Sequence, residues 1–380
     1  MTLALVTTAL TPPALAAFEK DLGWQVMNSH GPELLNGEGF DPAAVGALVV
    51  ESELIDSDVL DRFPTLSVIG CVRGSPVNVD AEEATRRGVV VLNAPARNAD
   101  SVADLVLGLT LSVLRHIAST HHLIVSRALT EERAEDRHRK DVVWRPSDPA
   151  APVPYRVYKG PELATLTLGL LGFGAIGRRV CSRAVALGMS VLAYDPFVPE
   201  LDLATAGADA VAFDELFVRS DVLSLHAPPQ QGQPLVGERE LALMKPTAYV
   251  INTARASILD YPALARALNE GKLAGAGLDV FPDEPLSSSS PFLEMANVTL
   301  TPHIAGASSN VVEHHSEILL ASLLALAQGH PEAAYIRNPE VLVRWADGIP
   351  PALSEGRSSL GKSPLSAQRL LGRRDDEANA

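Results

Sequence analysis

Short apolar runs alternate with amphipathic stretches along most of the chain. Up to about residue 100, Leu3–Val6, 47–50, 67–70 and 89–92 read as strands, and Pro12–Asp21, 56–63 and 80–87 read as helices between some of them. Asn78-Val-Asp80 has the composition of an N-cap entering the last of these helices. The rhythm returns after residue 165, with strands expected at 166–171, 190–194, 222–225, 248–251, 276–279 and 298–300. Alternation of this kind predicts parallel α/β domains, and six strands in series make a full doubly wound sheet.

Three stretches break the rhythm. Residues 99–126 are long and apolar and predict one helix of about 25 residues, fit to bridge two domains, to form a subunit interface or to lie in a core. Residues 127–160 are charge-dense and then proline-rich, a solvated connector. A helix over 308–328, ended by Gly329, precedes a segment from about Asp347 that is rich in Ser, Gly and charge and is expected to be disordered over 347–380.

The chemistry concentrates at the first strand of the second series. Residues 166–171 run into Gly172-x-Gly174-x-x-Gly177, a helical pattern follows to Leu187, and a second apolar run ends on Asp195. The three glycines serve different needs. Gly172 permits the turn, Gly174 the close approach of a pyrophosphate, and Gly177 the packing of helix on sheet. Ala175 and Ile176 open the helix, whose free N–H groups and dipole suit phosphates. Asp195 stands 18 residues after Gly177, close to the ~20 expected of an acid that binds the adenosine ribose. An acid there repels a 2′-phosphate, so NAD is expected rather than NADP.

Composition narrows the field. A net charge of −15 lacks the basic footprint of a nucleic-acid binder. Cys71 and Cys181 have neither disulfide-framework nor zinc spacing, and His121, His122 and His138 lack metal-ligand spacing, so no metal is expected. The apolar N-terminus has no Lys or Arg before it and is interrupted by Thr7, Thr8, Thr11, Pro12 and Pro13, which reads as a first strand rather than a signal peptide. No run reaches 18 apolar residues, so no membrane span is expected, and a reduced cytoplasmic location fits.

Four further segments place polar residues after apolar strands: VLSLHAP at 222–228, INTARASILD at 251–260, AGLDVFPDEP at 276–285 and LTPHIAGAS at 300–308. Ligands in open α/β sheets bind past the carboxyl ends of strands, so Arg255, Asp279, Glu284 and His303 are candidates for one crevice. Singly, each has a plain reading: an N-cap-like acid, a core histidine, a surface arginine.

With the glycine motif, GCVRGSPVNVD at 70–80 and RRGVVVLNAPARNADSVAD at 86–104, these segments resemble the D-isomer-specific 2-hydroxyacid dehydrogenase family over residues 50–308. The resemblance implies two doubly wound parallel-sheet domains. A Rossmann cofactor domain, 103–303, would be inserted in a flavodoxin-like substrate domain, 1–102 and 304–340, with the active site in the cleft. It implies Arg255 as the carboxylate-binding and carbonyl-polarising residue, His303 as general acid/base and Glu284 as its partner. Thr253, Ala254, Asp279, His303 and Gly306 would line the nicotinamide side, with His226, Ala227 and Pro228 at the cofactor rim. Arg73, Gly74 and Ser75 would contact the substrate. The expected partner is a small 2-hydroxy or 2-oxo acid, and the expected assembly a homodimer.

The residue types suit hydride chemistry: histidine titrates near neutrality, a carboxylate fixes its tautomer, and arginine gives a planar fork to a carboxylate. The family usually has a small residue where Arg73 stands. If Arg73 turns inward, with Arg97 near it, the substrate would carry a second anionic or polyhydroxylated end. Other readings are a phosphite- or formate-type dehydrogenase, against which Glu284 counts for formate, and a non-catalytic NAD(H)-sensing interaction protein.

Overall fold

The computed structural model describes residues 2–36, 38–130, 153–229, 232–345 and 350–354. The chain separates into two compact units, one formed by residues up to Asn98 and from Ser309 onward, the other by Ala99–Ser308. The second unit is therefore an insertion in the first.

Among its described residues the first unit holds five strands: β1 Leu3–Val6, β2 Gln25–Asn28, β3 Val45–Val50, β4 Val68–Cys71 and β5 Val90–Asn93. All pairings are parallel, in the order β2-β1-β3-β4-β5, the flavodoxin-like arrangement. β1, β3 and β4 are buried at every position, as expected of strands covered on both faces. β2 was not expected. It is the edge strand, with both end residues exposed, so it carries no apolar run to read. Asp56 and Asp80 cap the helices Ser57–Arg62 and Ala81–Arg87, accepting from the amides of Val59 and Glu83. The later helix, Val311–Ala327, drives Leu319 against Gly70, where a Cβ would meet Leu319 Cδ1 at 2.7 Å.

The start of the tail departs from the expected disorder. Residues 346–349 and those beyond 354 lie outside the described residues, but Pro351–Ser354 forms a short helix. Leu353 is fully buried in the core of the first unit, and Trp24 Nε1 donates to the Ala352 carbonyl at 2.6 Å. Ala352 and Leu353, both buried, dock it. Truncation before Pro350 should therefore cost about 3 kcal/mol, from one buried leucine and one lost hydrogen-bond acceptor. Thermal unfolding checks this, and an unchanged midpoint would contradict it.

Among its described residues the second unit holds seven parallel strands rather than six: β6 Thr167–Leu171, β7 Ser190–Tyr194, β8 Asp209–Ala210, β9 Val222–Leu225, β10 Tyr249–Asn252, β11 Gly275–Leu278 and β12 Val298–Leu300. Their order is β12-β11-β10-β9-β6-β7-β8, a Rossmann sheet whose switch point lies between β6 and β9. The unexpected β8 is a two-residue edge with both side chains exposed.

The expected long helix over 99–126 is two, Ala99–Leu114 and Ile117–Val125, bent by 66°. His116 at the break is left-handed, φ 55°. Its ring packs edge-on to Tyr158 at 5.8 Å, and Gly160 lies so close to the Leu114 carbonyl that a Cβ would sit 1.9 Å from it. Crossing chain, not a local helix breaker, ends the first helix. That helix is a core element: Val102, Val106, Leu109 and Val113 are buried, and Asp100 and Asp104 pair with Arg179 and Arg183 of the helix Ala175–Ala186. Of the 127–160 connector, 131–152 lies outside the described residues, and Pro154–Val157 is a short helix. Among the described residues no single helix is long and apolar enough to cross a membrane, and no His, Cys, Asp or Glu cluster could hold a metal ion.

Candidate active site

The glycine motif folds as a cradle. Gly172 follows β6 with φ 99°, and a Cβ there would meet the Ala227 amide nitrogen at 2.7 Å. A Cβ at Gly177 would meet the Gly172 carbonyl oxygen at 2.5 Å. Both are glycines because protein fills the space. Gly174 differs: it is the N-cap of the helix Ala175–Ala186, and nothing lies within 4 Å of where its Cβ would stand. That open space faces the unpaired first amides of a 12-residue helix, which fits a dinucleotide pyrophosphate.

Asp195 follows β7 beside this turn. Its Oδ2 accepts from the Phe173 amide at 2.8 Å and its Oδ1 from the Phe197 amide at 2.9 Å. An ionised carboxylate has about four acceptor positions, so two remain for ribose hydroxyls. Two buried side-chain atoms at the ends of adjacent strands, His226 Nδ1 after β9 and Thr253 Oγ1 after β10, have no hydrogen-bond partner among the described residues. Burial pushes His226 down to about 4, so its ring is neutral at pH 7, and its Nε2 lies 2.9 Å from Ser224 Oγ. Both atoms suit the rim of a bound cofactor, together with Ala227 and Pro228.

Past β10, β11 and β12, Arg255, Glu284 and His303 share one cavity of about 680 Å³, lined also by Ser257, Tyr261 and Phe281 among others, while Asp279 lies outside it. His303 Nδ1 lies 2.7 Å from Glu284 Oε2, and Glu284 Oε1 accepts from the Phe281 amide at 2.9 Å. The His303 ring, the Phe281 amide and nearby Arg255 hold the Glu284 carboxyl below its usual range, so it is ionised at neutral pH. Arg255 is exposed and makes no ion pair among the described residues; Nη1 donates only to the Ala254 carbonyl, at 2.6 Å. An unneutralised guanidinium beside an imidazole–carboxylate pair is suited to hold an anion while a proton moves.

Buried polar groups hold these side chains in place. Asp279 is fully buried and its carboxylate accepts from Thr301 Oγ1 at 2.6 Å and from the amides of Ile304 and Ala305 at 2.9 and 2.8 Å. Its own carbonyl takes the His303 amide at 2.8 Å. Asp279 fixes the loop that carries Gly306 and His303, whose backbone is left-handed at φ 54°. Such a conformation persists only when its surroundings over-determine it. Asn252 does the same for Arg255: Nδ2 donates to the Arg255 carbonyl at 3.2 Å and Oδ1 accepts the Ala254 amide at 3.1 Å. Asn252 also bonds the Tyr261 hydroxyl, which donates to the Val280 carbonyl. Only its place at the last position of a strand could have marked Asn252 in the sequence.

In the first unit, Arg73, Gly74 and Ser75 follow β4. Asn93, at the end of β5, donates to the Gly74 carbonyl at 3.0 Å, and the Ala94 amide to the Arg73 carbonyl at 2.9 Å. Arg97 is not available to an anion. It is 17% exposed, bonded to Glu51 at 2.8 Å, and 3.1 Å from His315 Nδ1.

A pyrophosphate cradle and a paired imidazole past the strand ends of one sheet are what a nicotinamide-dinucleotide oxidoreductase requires. Residues 107–305 match the family model "D-isomer specific 2-hydroxyacid dehydrogenase, NAD binding domain", and the chain belongs to that family of oxidoreductases. It is 36% identical over 288 residues to a glyoxylate reductase of Thermococcus litoralis, covering 75% of this chain and 81% of that protein. A D-3-phosphoglycerate dehydrogenase of Archaeoglobus fulgidus is 33% identical over 297 residues, but the chain spans only 52% of its length, against 78% of its own. Among solved structures, an NADPH-dependent glyoxylate/hydroxypyruvate reductase from Sinorhizobium meliloti superposes with a TM-score of 0.66 at 26% identity, covering 86% of this chain and 94% of that one.

Proposed function

We propose that this chain reduces a small 2-oxo acid to the D-2-hydroxy acid with NADH, and runs the reverse oxidation with NAD. The observation that carries this reading is the 2.7 Å His303–Glu284 pair sharing a cavity with the unpaired Arg255. The bound nicotinamide supplies or accepts the hydride. Arg255 holds the substrate carboxylate and polarises the 2-oxo group. Glu284 accepts from His303 Nδ1, which leaves Nε2–H to donate to the carbonyl oxygen as C2 is reduced. In oxidation the neutral ring takes that proton back. One hydride and one proton are added in reduction, so a single titrating group serves both directions.

For the cofactor, the open space at Gly174 and the spare acceptor positions of Asp195 support NAD. Asp195→Ala should narrow the ratio of kcat/KM for NADH over NADPH, and a parent enzyme indifferent to the two would remove Asp195 from this role. A homodimer accords with the exposed apolar residues Ile117, Ile124 and Val125 of the helix Ile117–Val125. Two buried free thiols, Cys71 and Cys181, fit a reducing compartment such as the cytoplasm.

The reaction is tested by following NADH consumption with a panel of 2-oxo acids. At least one should reach kcat/KM on the order of 10⁴ M⁻¹s⁻¹. No consumption with any of them would contradict the assignment.

A further inference from the structure

Buried polar atoms are rarely left without a partner, so the orphaned His226 Nδ1 and Thr253 Oγ1 say something about what binds beside them. Both belong to the second unit. Leu225 of β9 pairs with Leu171 of β6 on one side and with Asn252 of β10 on the other, so Gly172, His226 and Thr253 leave the sheet side by side. The His226 amide donates to the Leu171 carbonyl at 2.8 Å, and a Cβ at Gly172 would lie 2.8 Å from the His226 carbonyl carbon. His226 therefore stands one strand from the glycine turn. Asp195 follows β7, on the other side of β6. A dinucleotide with its adenosine ribose at Asp195 and its pyrophosphate at the glycine turn reaches His226 with its other half.

A threonine hydroxyl turns to suit either a donor or an acceptor. A ring nitrogen does not: protonated it donates, bare it accepts. For His226 Nδ1 the choice is fixed by Nε2, which lies 2.9 Å from Ser224 Oγ. Two positions apart on a strand, the two side chains share a face. Ser224 is fully buried, and the residues opposite it, Leu170 of β6 and Ile251 of β10, are buried aliphatics. Among the described residues Nε2 is the sole hydrogen-bond partner of the Ser224 hydroxyl.

Two neutral arrangements compete. With the proton on Nε2, the ring donates to Oγ, and the hydroxyl hydrogen is left without an acceptor as well as Nδ1 without a donor. With Nε2 bare, the hydroxyl donates to it, and one group alone is left over, Nδ1–H. The second arrangement strands one buried hydrogen fewer, and leaving a buried donor unmet costs more than a hydrogen bond gains. The charged ring is no third possibility at neutral pH, because burial pulls it down to about 4.

On the strength of the NAD site described above, we infer that Ser224 is a positioning residue that holds His226 as the Nδ1–H tautomer, and that this N–H donates to an oxygen in the nicotinamide half of the dinucleotide. Ser224 itself touches no ligand.

The first measurement needs no variant. In enzyme carrying nitrogen-15 in its histidine rings, NMR at neutral pH should show His226 with a protonated Nδ1 and a bare Nε2, its signals identified by their absence from His226→Asn. NADH should shift the Nδ1 resonance and leave the tautomer as it was. A proton on Nε2 in the free enzyme overturns the inference. Binding of NADH and of ADP is then measured by calorimetry without substrate. His226→Leu should weaken NADH by roughly three- to tenfold, the worth of one neutral hydrogen bond, and leave ADP, which ends at the pyrophosphate, within about twofold. His226→Asn places an amide N–H where Nδ1–H stood and should recover most of the NADH affinity. Ser224→Ala should release the ring into both tautomers and weaken NADH but not ADP. Equal losses for NADH and ADP, or NADH affinity unmoved in both His226→Leu and Ser224→Ala, overturn the inference. A parent that does not bind NADH removes the cofactor assignment itself, an outcome distinct from these.

Discussion

Replacing His303 by alanine is expected to lower turnover by roughly 10²–10⁴-fold, the usual contribution of a positioned general acid. The ring is 48% exposed, so little packing is lost with it. The left-handed backbone at this position invites an objection that the variant merely rearranges the loop. His303→Asn answers it, because asparagine tolerates that conformation and cannot transfer the proton. Both variants should keep NADH affinity while losing turnover, and a His303→Asn enzyme within tenfold of the parent would rule out acid catalysis by this ring. Glu284→Gln separates the partner's role. It keeps an acceptor oxygen for His303 Nδ1 but removes the carboxylate, and should lower kcat while leaving NADH affinity unchanged; an unchanged kcat would leave Glu284 a structural role only.

The second large effect is expected at Asp279, which touches no solvent. Asp279→Ala leaves the Thr301 hydroxyl and the amides of Ile304 and Ala305 without their acceptor. At about 1–3 kcal/mol for the buried Ala305 amide left unsatisfied, and about 1 kcal/mol each for the part-buried Thr301 hydroxyl and Ile304 amide, the loss is on the order of 3–5 kcal/mol. For a unit of this size that lowers the unfolding midpoint by roughly 6–20 °C. Turnover should fall with it, since the same bonds set the position of His303. Asp279→Asn keeps one oxygen and should fall between parent and alanine. A stable Asp279→Ala enzyme of normal turnover would show that the loop is held by something else.

What the sequence made legible follows a physical rule. Buried parallel strands such as β1, β3 and β6 announce themselves as apolar runs, and the three glycines are fixed by local backbone needs, so both could be read directly. Edge strands β2 and β8 bury too little to leave a run. The break at His116 is imposed by residues 158–160, more than forty positions later, and no local propensity encodes it. Leu353 follows two prolines and one alanine, too short a stretch to show a helical period.

At the site, the residue types of Arg255, Glu284 and His303 pointed to chemistry before any geometry. The groups that hold them did not. Asp279 stood out because it follows a strand, and its hydrogen bonds add that it secures the His303 loop. Arg97 looked like spare positive charge because its partners, Glu51 and His315, lie 46 and 218 residues away.

Hydride transfer to C2 can be followed with a label. Purified enzyme is supplied with hydroxypyruvate and NADH deuterated at the transferable C4 position, and the product is analysed by mass and by chirality. The expected product is D-glycerate carrying one deuterium on C2, formed by the parent and reduced at least roughly a hundredfold in His303→Ala. L-glycerate, product without the label, or no product from hydroxypyruvate or any other 2-oxo acid would contradict the proposed reaction.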